Sequence, residues 1–412
     1  MLKNLRTKIA IFFLVLGPGI ITANVDNDAG GITTYSIAGA HFGYSLIWIL
    51  IPTAVALILI QEMCNRLGVV TGKGLSDLIR EHFGVKITFY LMLGVFVTNF
   101  GNILAEFAGV AAGGQVLGLT PYIAVPVAAA LVWLLVVKGT YRSVEKVFLG
   151  ACLFYVCYII TGFLAHPNWG DVKASLYPPP IRLELGYVIT LIGVVGTTIA
   201  PWMQFYQQAS VAEKGIKVEE YRYSRLDTII GGIVVTAVAF FIILACGSTI
   251  FREGIHVDTA AQAAIALKPL AGKYASYLFA FGLLNASLFA ASILPLSTAY
   301  SVCEGMGWET GMDRRFIEAP QFYGLYSLLI LFGSIPMLIP GISLIKVMLI
   351  SQVVNGVVLP FVLVFILLVI NKRDIMGDFV NSRAFNLVAW LIVALLIGLD
   401  LILLASLLGW VG

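Results

Sequence analysis

The sequence predicts an all-α integral membrane protein of about eleven transmembrane helices, and three observations lead to this prediction. Hydrophobic residues make up 60% of the 412 residues and charged residues only 11%, whereas about a quarter of a soluble domain is charged. The apolar runs extend over about 20 residues, which suits helices, because barrel strands alternate over about ten. Two runs are interrupted at corresponding positions, which indicates two inverted repeats of five helices.

Hydropathy averaged over about 19 residues divides the chain into eleven apolar segments. They cover residues 8–38, 44–66, 86–117, 120–138, 145–165, 185–212, 226–251, 272–303, 321–339, 344–370 and 386–408. Residues 304–320 are expected to form a small helical connector. Because no long polar stretch remains for a soluble domain, residues 1–412 are predicted to form one membrane domain. In it, 8–165 are the first repeat, 185–370 the second, and 386–408 an extra helix.

The basic residues indicate how the chain crosses the membrane. Residues 1–19 have a basic start and a short apolar core, as a signal peptide has. We predict an uncleaved first helix, because the apolar run continues without a convincing cleavage site. With a cytoplasmic N-terminus, 19 of the 25 Lys and Arg residues fall on the inner side. The positive-inside rule therefore places the N-terminus in the cytoplasm of the plasma (inner) membrane and the C-terminus outside. The net charge of +3 indicates no nucleic-acid partner.

Two apolar segments are broken, and the first contains the stretch NVDNDAGGITTY, from Asn24 to Tyr35. A carboxylate in mid-membrane costs about 2.5–3.5 kcal/mol even on the lenient insertion scale, and adjacent glycines weaken the helix there. Segment 185–212 has Gly193, Gly196 and Pro201 at the equivalent place. Gly and Pro are common in membrane helices. Their pairing in the first and sixth segments nevertheless favours a transporter with its site where both helices unwind.

The intramembrane acids are the first candidate ligands. Asp28 ranks first because it adjoins the glycine break, where its carboxylate can meet freed carbonyl groups. Asp26 is as consistent with a capping role as with binding. Glu106 is either a proton-relay acid or a structural acid bonded to Asn102, one turn earlier. Asp400 is expected to make a packing or oligomer contact. Three acids near helix ends are expected to be solvated or paired with Arg: Glu62, Asp227 and Glu304.

Amide side chains and backbone carbonyls complete the candidate donor set. Four glutamines follow the second break or lie in segment 344–370: Gln204, Gln207, Gln208 and Gln352. Each is equally consistent with a hydrogen bond across the bundle. Histidine and cysteine are absent from both breaks, so the pattern suits a hard cation such as Mg²⁺ or Ca²⁺. The five cysteines are expected to be small buried hydrophobes, and no cofactor is expected.

Residues 17–44 read GPGIITANVDNDAGGITTYSIAGAHFGY. This stretch resembles the first helix of Nramp divalent-metal transporters, which carries GPG, then DPGN, then AGA-x-FGY. The motif DPGN aligns without a gap with Asp28-Ala29-Gly30-Gly31. GTTIAPWMQFYQQ resembles the family's sixth-helix stretch G-A-x-V-M-P-H, and RYSRLDTII, LAEFAG and ISQVV...LPF are also similar. The resemblance covers nearly the whole chain. It implies a fold of the LeuT-type inverted repeat, with helices 1 and 6 broken.

The departures from the family pattern indicate which ion is carried. Asp28 keeps the family's metal-binding aspartate, and Glu106 keeps one acid of the third helix. Ala29 replaces a proline, Gly31 an asparagine ligand and Ile103 an acid. Ala200 replaces the methionine whose sulfur selects transition metals in the family. Trp202 and Gln207 replace two histidines that are tied to proton coupling in the family. This pattern is similar to the Nramp-related magnesium transporter branch. It implies uptake of Mg²⁺, with Mn²⁺ as a further substrate, without proton coupling.

The resemblance and the residues together give an expected site. Asp28 is the central ligand, and the other contributors are the carbonyls of Val25 and Thr197, the space left by Gly31 and Ala200, and Gln352 on occlusion. The transporter is expected to work as a monomer in the lipid bilayer. One alternative is a proton-coupled Mn²⁺/Fe²⁺ transporter of the main Nramp type. A sodium-coupled amino-acid transporter is a weaker alternative, because Asp28 would repel a substrate carboxylate. The sequence has no motif of a membrane enzyme.

Overall fold

The computed structural model describes residues 18–138, 155–178, 183–312 and 314–410, and the regular structure within these ranges is entirely helical. The α-helices are α1 (Pro18–Val25), α2 (Ala29–Phe42), α3 (Leu50–Thr71), α4 (Leu75–Val116), α5 (Pro121–Val137), α6 (Val156–Leu164), α7 (Trp169–Ala174), α8 (Leu185–Thr198), α9 (Pro201–Glu213), α10 (Tyr221–Ser248), α11 (Ala260–Ala263), α12 (Lys268–Ala271), α13 (Ala275–Met306), α14 (Pro320–Ser334), α15 (Leu344–Ile370), α16 (Arg373–Met376) and α17 (Arg383–Leu407). Short 3₁₀ turns occupy Ile47–Ile49, Val218–Glu220, Ala264–Leu267, Gly272–Tyr274, Ile335–Leu338 and Gly377–Phe379.

The structure confirms the helical membrane class. Within the described ranges, eight helical stretches are long and apolar enough to cross a membrane, and the shorter apolar helix α5 adds to them. Both predicted breaks are present. Asp26–Asp28 separate α1 from α2, and Ile199–Ala200 separate α8 from α9. Residues 8–17 of the first predicted segment and 145–154 of the fifth lie outside the described ranges.

The predicted helical connector at 304–320 is wrong for the residues described there. Helix α13 runs to Met306 and ends at Gly307, whose left-handed conformation (φ 75°) caps the helix. The described residues from Trp308 to Ala319 form turns and irregular chain, and α14 begins at Pro320. A glycine in the left-handed conformation stops a helix, and a proline favours the first turn of the next one. These two signals outweighed the apolar residues between them.

Helix α10 holds the broken first helix in place, since it packs along both α1 and α2. The two backbones approach closely at glycines: a Cβ on Gly19 would lie 2.6 Å from the Cα of Thr228. At the same place the backbone N–H groups of Gly19 and Ile20 donate to the carboxylate of Asp227, at 2.7 and 3.3 Å. Asp227 is therefore a buried cap of α1, and the expectation that it is solvated is wrong.

Candidate functional site

The first break is stabilised by Asp28, which is the N-cap of α2. Its Oδ1 accepts a hydrogen bond from the backbone N–H of Gly31 at 2.6 Å, and the side chain is only 3% exposed. A carboxylate suits this position because the N-terminus of a helix has unpaired N–H groups and a positive dipole end. The helix end thus offsets part of the cost of burying this charge.

Glu106 comes to the break from α4 and faces Asp28. Its Oε2 accepts from the backbone N–H of Ala29 at 3.2 Å, and the two carboxyl groups contact each other. Helix α4 can approach this closely because Gly109, one turn further on, packs directly on Ala29. The predicted alternative, a bond from Glu106 to Asn102, is not formed. Two buried carboxylates repel each other, so a cation or a proton between them stabilises the pair.

The second break meets the first at Gly31. A Cβ on Gly31 would lie 2.5 Å from the backbone oxygen of Asp26 and 3.0 Å from Oγ1 of Thr197. The hydroxyl groups of Tyr35 and Thr198, 2.8 Å apart, also join the two broken helices. The sequence predicts that Gly31 leaves open space, and the structure differs: oxygen atoms of both breaks fill the position that a side chain would take. Ala200, the N-cap of α9, is buried beside this junction at 1% exposure.

Helix ends supply the carbonyl groups expected from the sequence. Val25 is the last residue of α1 and Thr197 is the penultimate residue of α8, and both are buried. The last four carbonyls of a helix have no partner within it. Both ends are therefore sources of carbonyl oxygens without a partner in their own helix. The structure thus places Asp28, Gly31 and Thr197 together, with Val25 and Ala200 at the adjoining helix ends.

Gln352 on α15 already lies at the break, since its amide nitrogen packs directly against Gly30. Asn355 fixes its orientation by donating to Gln352 Oε1 at 2.8 Å, and Asn355 in turn exchanges two hydrogen bonds of 2.9 Å with Asn102. An amide chain therefore runs from the break through α15 to α4. Sequence reasoning named Gln352 and gave Asn102 only as a possible partner of Glu106. It missed Asn355, whose signal was an amide in an apolar helix.

The other glutamines have separate partners. When its amide is oriented so that the nitrogen faces them, Gln204 donates to the carbonyls of Ala200 and Pro201, at 2.6 and 2.8 Å, within the first turn of α9. Gln208 donates to the backbone oxygen of Lys73 at 2.9 Å. Gln207 makes a long contact of 3.4 Å to Thr228. The geometry therefore ties Gln204 to the second break and leaves Gln208 bonded to the turn before α4.

Several buried polar atoms at the breaks and on neighbouring helical turns have no protein partner among the described residues. They belong to Asp26, Asn27, Glu106 and Thr197 at the breaks, and to Gln61 on α3 and Gln207 on α9. Buried polar groups are nearly always hydrogen-bonded, so such a concentration indicates a place for water or an ion. Asn27 and Gln61 were not singled out from the sequence, although Gln61 interrupts the apolar run LILIQEM.

The donors at the breaks are mostly oxygens. Within the described ranges, no group of three or more His, Cys, Asp or Glu side chains is arranged to hold a metal. A cation here would be bound by carboxylate, carbonyl and hydroxyl oxygens, with water completing its shell, as hard cations prefer. One sulfur lies close by: Met348, one turn before Gln352, accepts from Thr33 Oγ1 at 3.4 Å. Asp400 lies elsewhere, in an apolar cavity of about 540 Å³ between α15 and α17.

Comparison with known proteins gives the family. Residues 19–406 match the model of Nramp, Natural resistance-associated macrophage protein-like. The divalent metal cation transporter MntH of Deinococcus radiodurans is 29% identical over 410 residues, which cover 96% of this chain and 90% of that protein.

Two solved structures show the fold. The manganese transporter of Eremococcus coleocola superposes with a TM-score of 0.78 at 21% identity, covering 96% of this chain and 87% of its own. A nucleobase-cation-symport-1 family transporter in a closed conformation gives 0.61 at 16% identity, covering 95% and 91%. The predicted fold, a LeuT-type bundle with two broken helices, is thereby confirmed. The chain belongs to the Nramp family of multi-pass integral membrane proteins, whose curated relatives are transporters and not enzymes.

Proposed function

We propose that this protein transports divalent cations, with Mg²⁺ as its principal substrate and Mn²⁺ as a further one. The observation that supports this most is the pair of buried carboxyl groups, Asp28 and Glu106, where two broken helices meet. The names of the relatives, divalent metal cation and manganese transporters, support the same class of substrate. The oxygen-rich donor set and the absence of a donor side chain at Gly31 and Ala200 favour the hard ion.

In this proposal the ion binds at the junction of the breaks and the protein alternates access around it. Asp28 is the central ligand, the carbonyls of Val25 and Thr197 contribute oxygens, and Gln352 is the amide ligand on the opposite helix. Mg²⁺ gives up its water reluctantly, so several waters stay bound. The two breaks supply the hinges, because backbone without helical hydrogen bonds bends at low cost.

Uptake does not require a second ion in this proposal. Two charges moving down a potential of 100 mV gain about 4.6 kcal/mol, twice the value for one charge. That free energy supports about three decades of concentration gradient. We accordingly propose voltage-driven uptake by a monomer in the plasma (inner) membrane, with the N-terminus in the cytoplasm and the C-terminus outside. Residues 8–165 and 185–370 would be the two repeats, and 386–408 the additional helix.

The test is uptake into proteoliposomes under an inside-negative potential, with internal pH recorded at the same time. We expect Mg²⁺ to enter without acidification, and Asp28→Ala to abolish uptake while leaving the folded protein intact by thermal unfolding. Asp400→Asn is the matched control, since it removes an intramembrane carboxylate far from the breaks, and it should transport normally. Full Mg²⁺ uptake by Asp28→Ala would refute the site. Uptake of Mn²⁺ with no uptake of Mg²⁺ would refute the substrate.

A proton-coupled Mn²⁺ transporter is the second candidate, and two observations favour it. Glu106 lies directly against Asp28, where it can hold a proton when the ion leaves, and the sulfur of Met348 lies one turn from Gln352. Acidification of the vesicle interior in step with Mn²⁺ entry would favour this candidate. A sodium-coupled amino-acid transporter fits less well, because a substrate carboxylate would face two buried acids.

A further inference from the structure

Two histidines lie side by side at the end of α2 that is distant from Asp28. His41 is in the last turn of α2, and His256 belongs to the loop between α10 and α11. Their ring centroids are 4.9 Å apart and the ring planes are inclined by 70°. His41 is half-buried and His256 is exposed. Neither imidazole has a part in the proposed transport site.

The separation of the two rings matches that of two imidazoles bound to one metal ion. With a metal–nitrogen bond of about 2.1 Å and roughly 1.1 Å from nitrogen to ring centroid, the centroids are about 5.2 Å apart at a tetrahedral angle. At a right angle, as in octahedral geometry, they are about 4.5 Å apart. The observed distance lies between these two values, so one ion could bridge the rings with little movement.

The Nε2 lone pair of His41 points at the loop that carries His256. It accepts from the backbone N–H of Val257 at 3.3 Å, which is beyond the usual range for such a bond. A metal ion that displaces this contact loses little. The Asp258 carboxylate is close enough to interact electrostatically with His41, so a negative charge adjoins the same place.

The loop is held in position rather than free. The amide oxygen of Gln262 accepts from the backbone N–H groups of Asp258 and Thr259, at 2.8 and 2.9 Å, and Thr259 caps Gln262 in return. This capping box fixes the chain two residues after His256. Both imidazoles therefore project from ordered backbone, which lowers the entropic cost of bringing them onto one ion.

We propose that His41 and His256 form a binding site for a transition-metal ion of the Zn²⁺ or Ni²⁺ class, which fastens the distal end of α2 to the loop following α10. Imidazole suits these ions and does not suit Mg²⁺, which prefers oxygen. With two protein ligands, water completes the coordination. The bound ion is not the transported one. It restrains the helix whose other end carries Asp28, and thereby slows uptake.

Binding is tested by titrating Zn²⁺ calorimetrically into purified full-length protein carrying Asp28→Ala, so that the transport site does not contribute. We expect one site, unaffected by millimolar Mg²⁺. Adding His256→Ala should weaken it at least tenfold, and so should His41→Gln. His82→Ala, which removes a half-buried histidine elsewhere, should leave it unchanged. Equal affinity in the His256→Ala protein, or competition by Mg²⁺, would overturn the site, and so would no binding at all.

The effect on transport is tested separately, in proteoliposomes with Asp28 intact. Zn²⁺ added on the side of the loop should reduce Mg²⁺ uptake by more than half in the wild type. The inhibitory concentration should rise at least tenfold in His256→Ala, whose uptake without Zn²⁺ should be normal. Binding without inhibition would refute the restraint on α2. Because the calorimetric result does not depend on which ion is carried, failure of this proposal and failure of the proposed function are distinguishable.

Discussion

Gly31→Ala is a direct test of how the two breaks fit together. The added methyl group would lie 2.5 Å from the backbone oxygen of Asp26 and 3.0 Å from Oγ1 of Thr197. A separation under 3 Å cannot be tolerated, and a backbone oxygen cannot rotate away as a flexible side chain can. The substitution must therefore displace the break itself, together with the N-cap bond from Gly31 to Asp28.

The magnitude follows from two opposing terms. Alanine in place of glycine stabilises a helix by about 1 kcal/mol. Overpacking a tight interior costs about 1–3 kcal/mol, and here the upper part of that range applies because the contact is with backbone. We therefore expect a net loss of about 1–2 kcal/mol. If the strain falls on the ion-bound conformation, each 1.4 kcal/mol weakens binding about tenfold.

The assay compares the concentration dependence of uptake with thermal unfolding of the same preparations. Gly31→Ala should raise the half-saturating Mg²⁺ concentration about five- to thirtyfold, in line with that free energy. Gly324→Ala is the matched control: it lies within α14, and a Cβ there would meet no described atom within 4 Å. The control should be as stable as the wild type or more so. Uptake by Gly31→Ala with unchanged half-saturation would refute the reasoning.

Three further substitutions test other parts of the site. Asp227→Asn should destabilise the protein by about 1–2 kcal/mol in thermal unfolding, because it weakens charge-assisted caps on α1, whereas exposed Asp374→Asn should not. Asn102→Leu should lower Mg²⁺ uptake severalfold by freeing the amide chain that orients Gln352, and normal uptake would show that this chain is not needed. Glu106→Gln should raise the half-saturating Mg²⁺ concentration at least tenfold. An unchanged value would remove Glu106 from the ion's surroundings.

Much of the helical framework could be predicted from hydropathy, because apolar runs of bilayer length leave few alternatives to a helix. The break around Asp28 was also predictable, since a carboxylate beside two glycines is locally inconsistent with a continuous helix. The role of Asp227 was not. Its position near a helix end suggested solvent, and only the packing of α10 against α1 brings it to the unpaired N–H groups of Gly19 and Ile20.

The amide network shows the same limit. Asn102 and Asn355 are far apart in sequence, and a lone amide on a membrane helix can bond to any neighbour. Their pairing at 2.9 Å depends on the register of α4 against α15, which hydropathy does not encode. The sequence predicted that Gln352 approaches the site on occlusion, but it did not predict that its amide packs on Gly30.

The position of Gly31 bears on how such a site would select its ion. From the sequence, replacing an asparagine ligand by glycine reads as the loss of an oxygen and a gain of room. In the structure, the backbone oxygen of Asp26 and the hydroxyl of Thr197 stand where the side chain would begin.

The oxygen donors at this point are thus backbone and hydroxyl groups, and the count of charged ligands does not rise. A donor set of neutral oxygens beside one or two carboxylates suits an ion that keeps much of its water. In the proposed transporter, preference for Mg²⁺ would then follow from donor type as well as from space. Gly31→Asn should accordingly lower Mg²⁺ uptake without raising Mn²⁺ uptake, because the new side chain cannot enter without displacing the break.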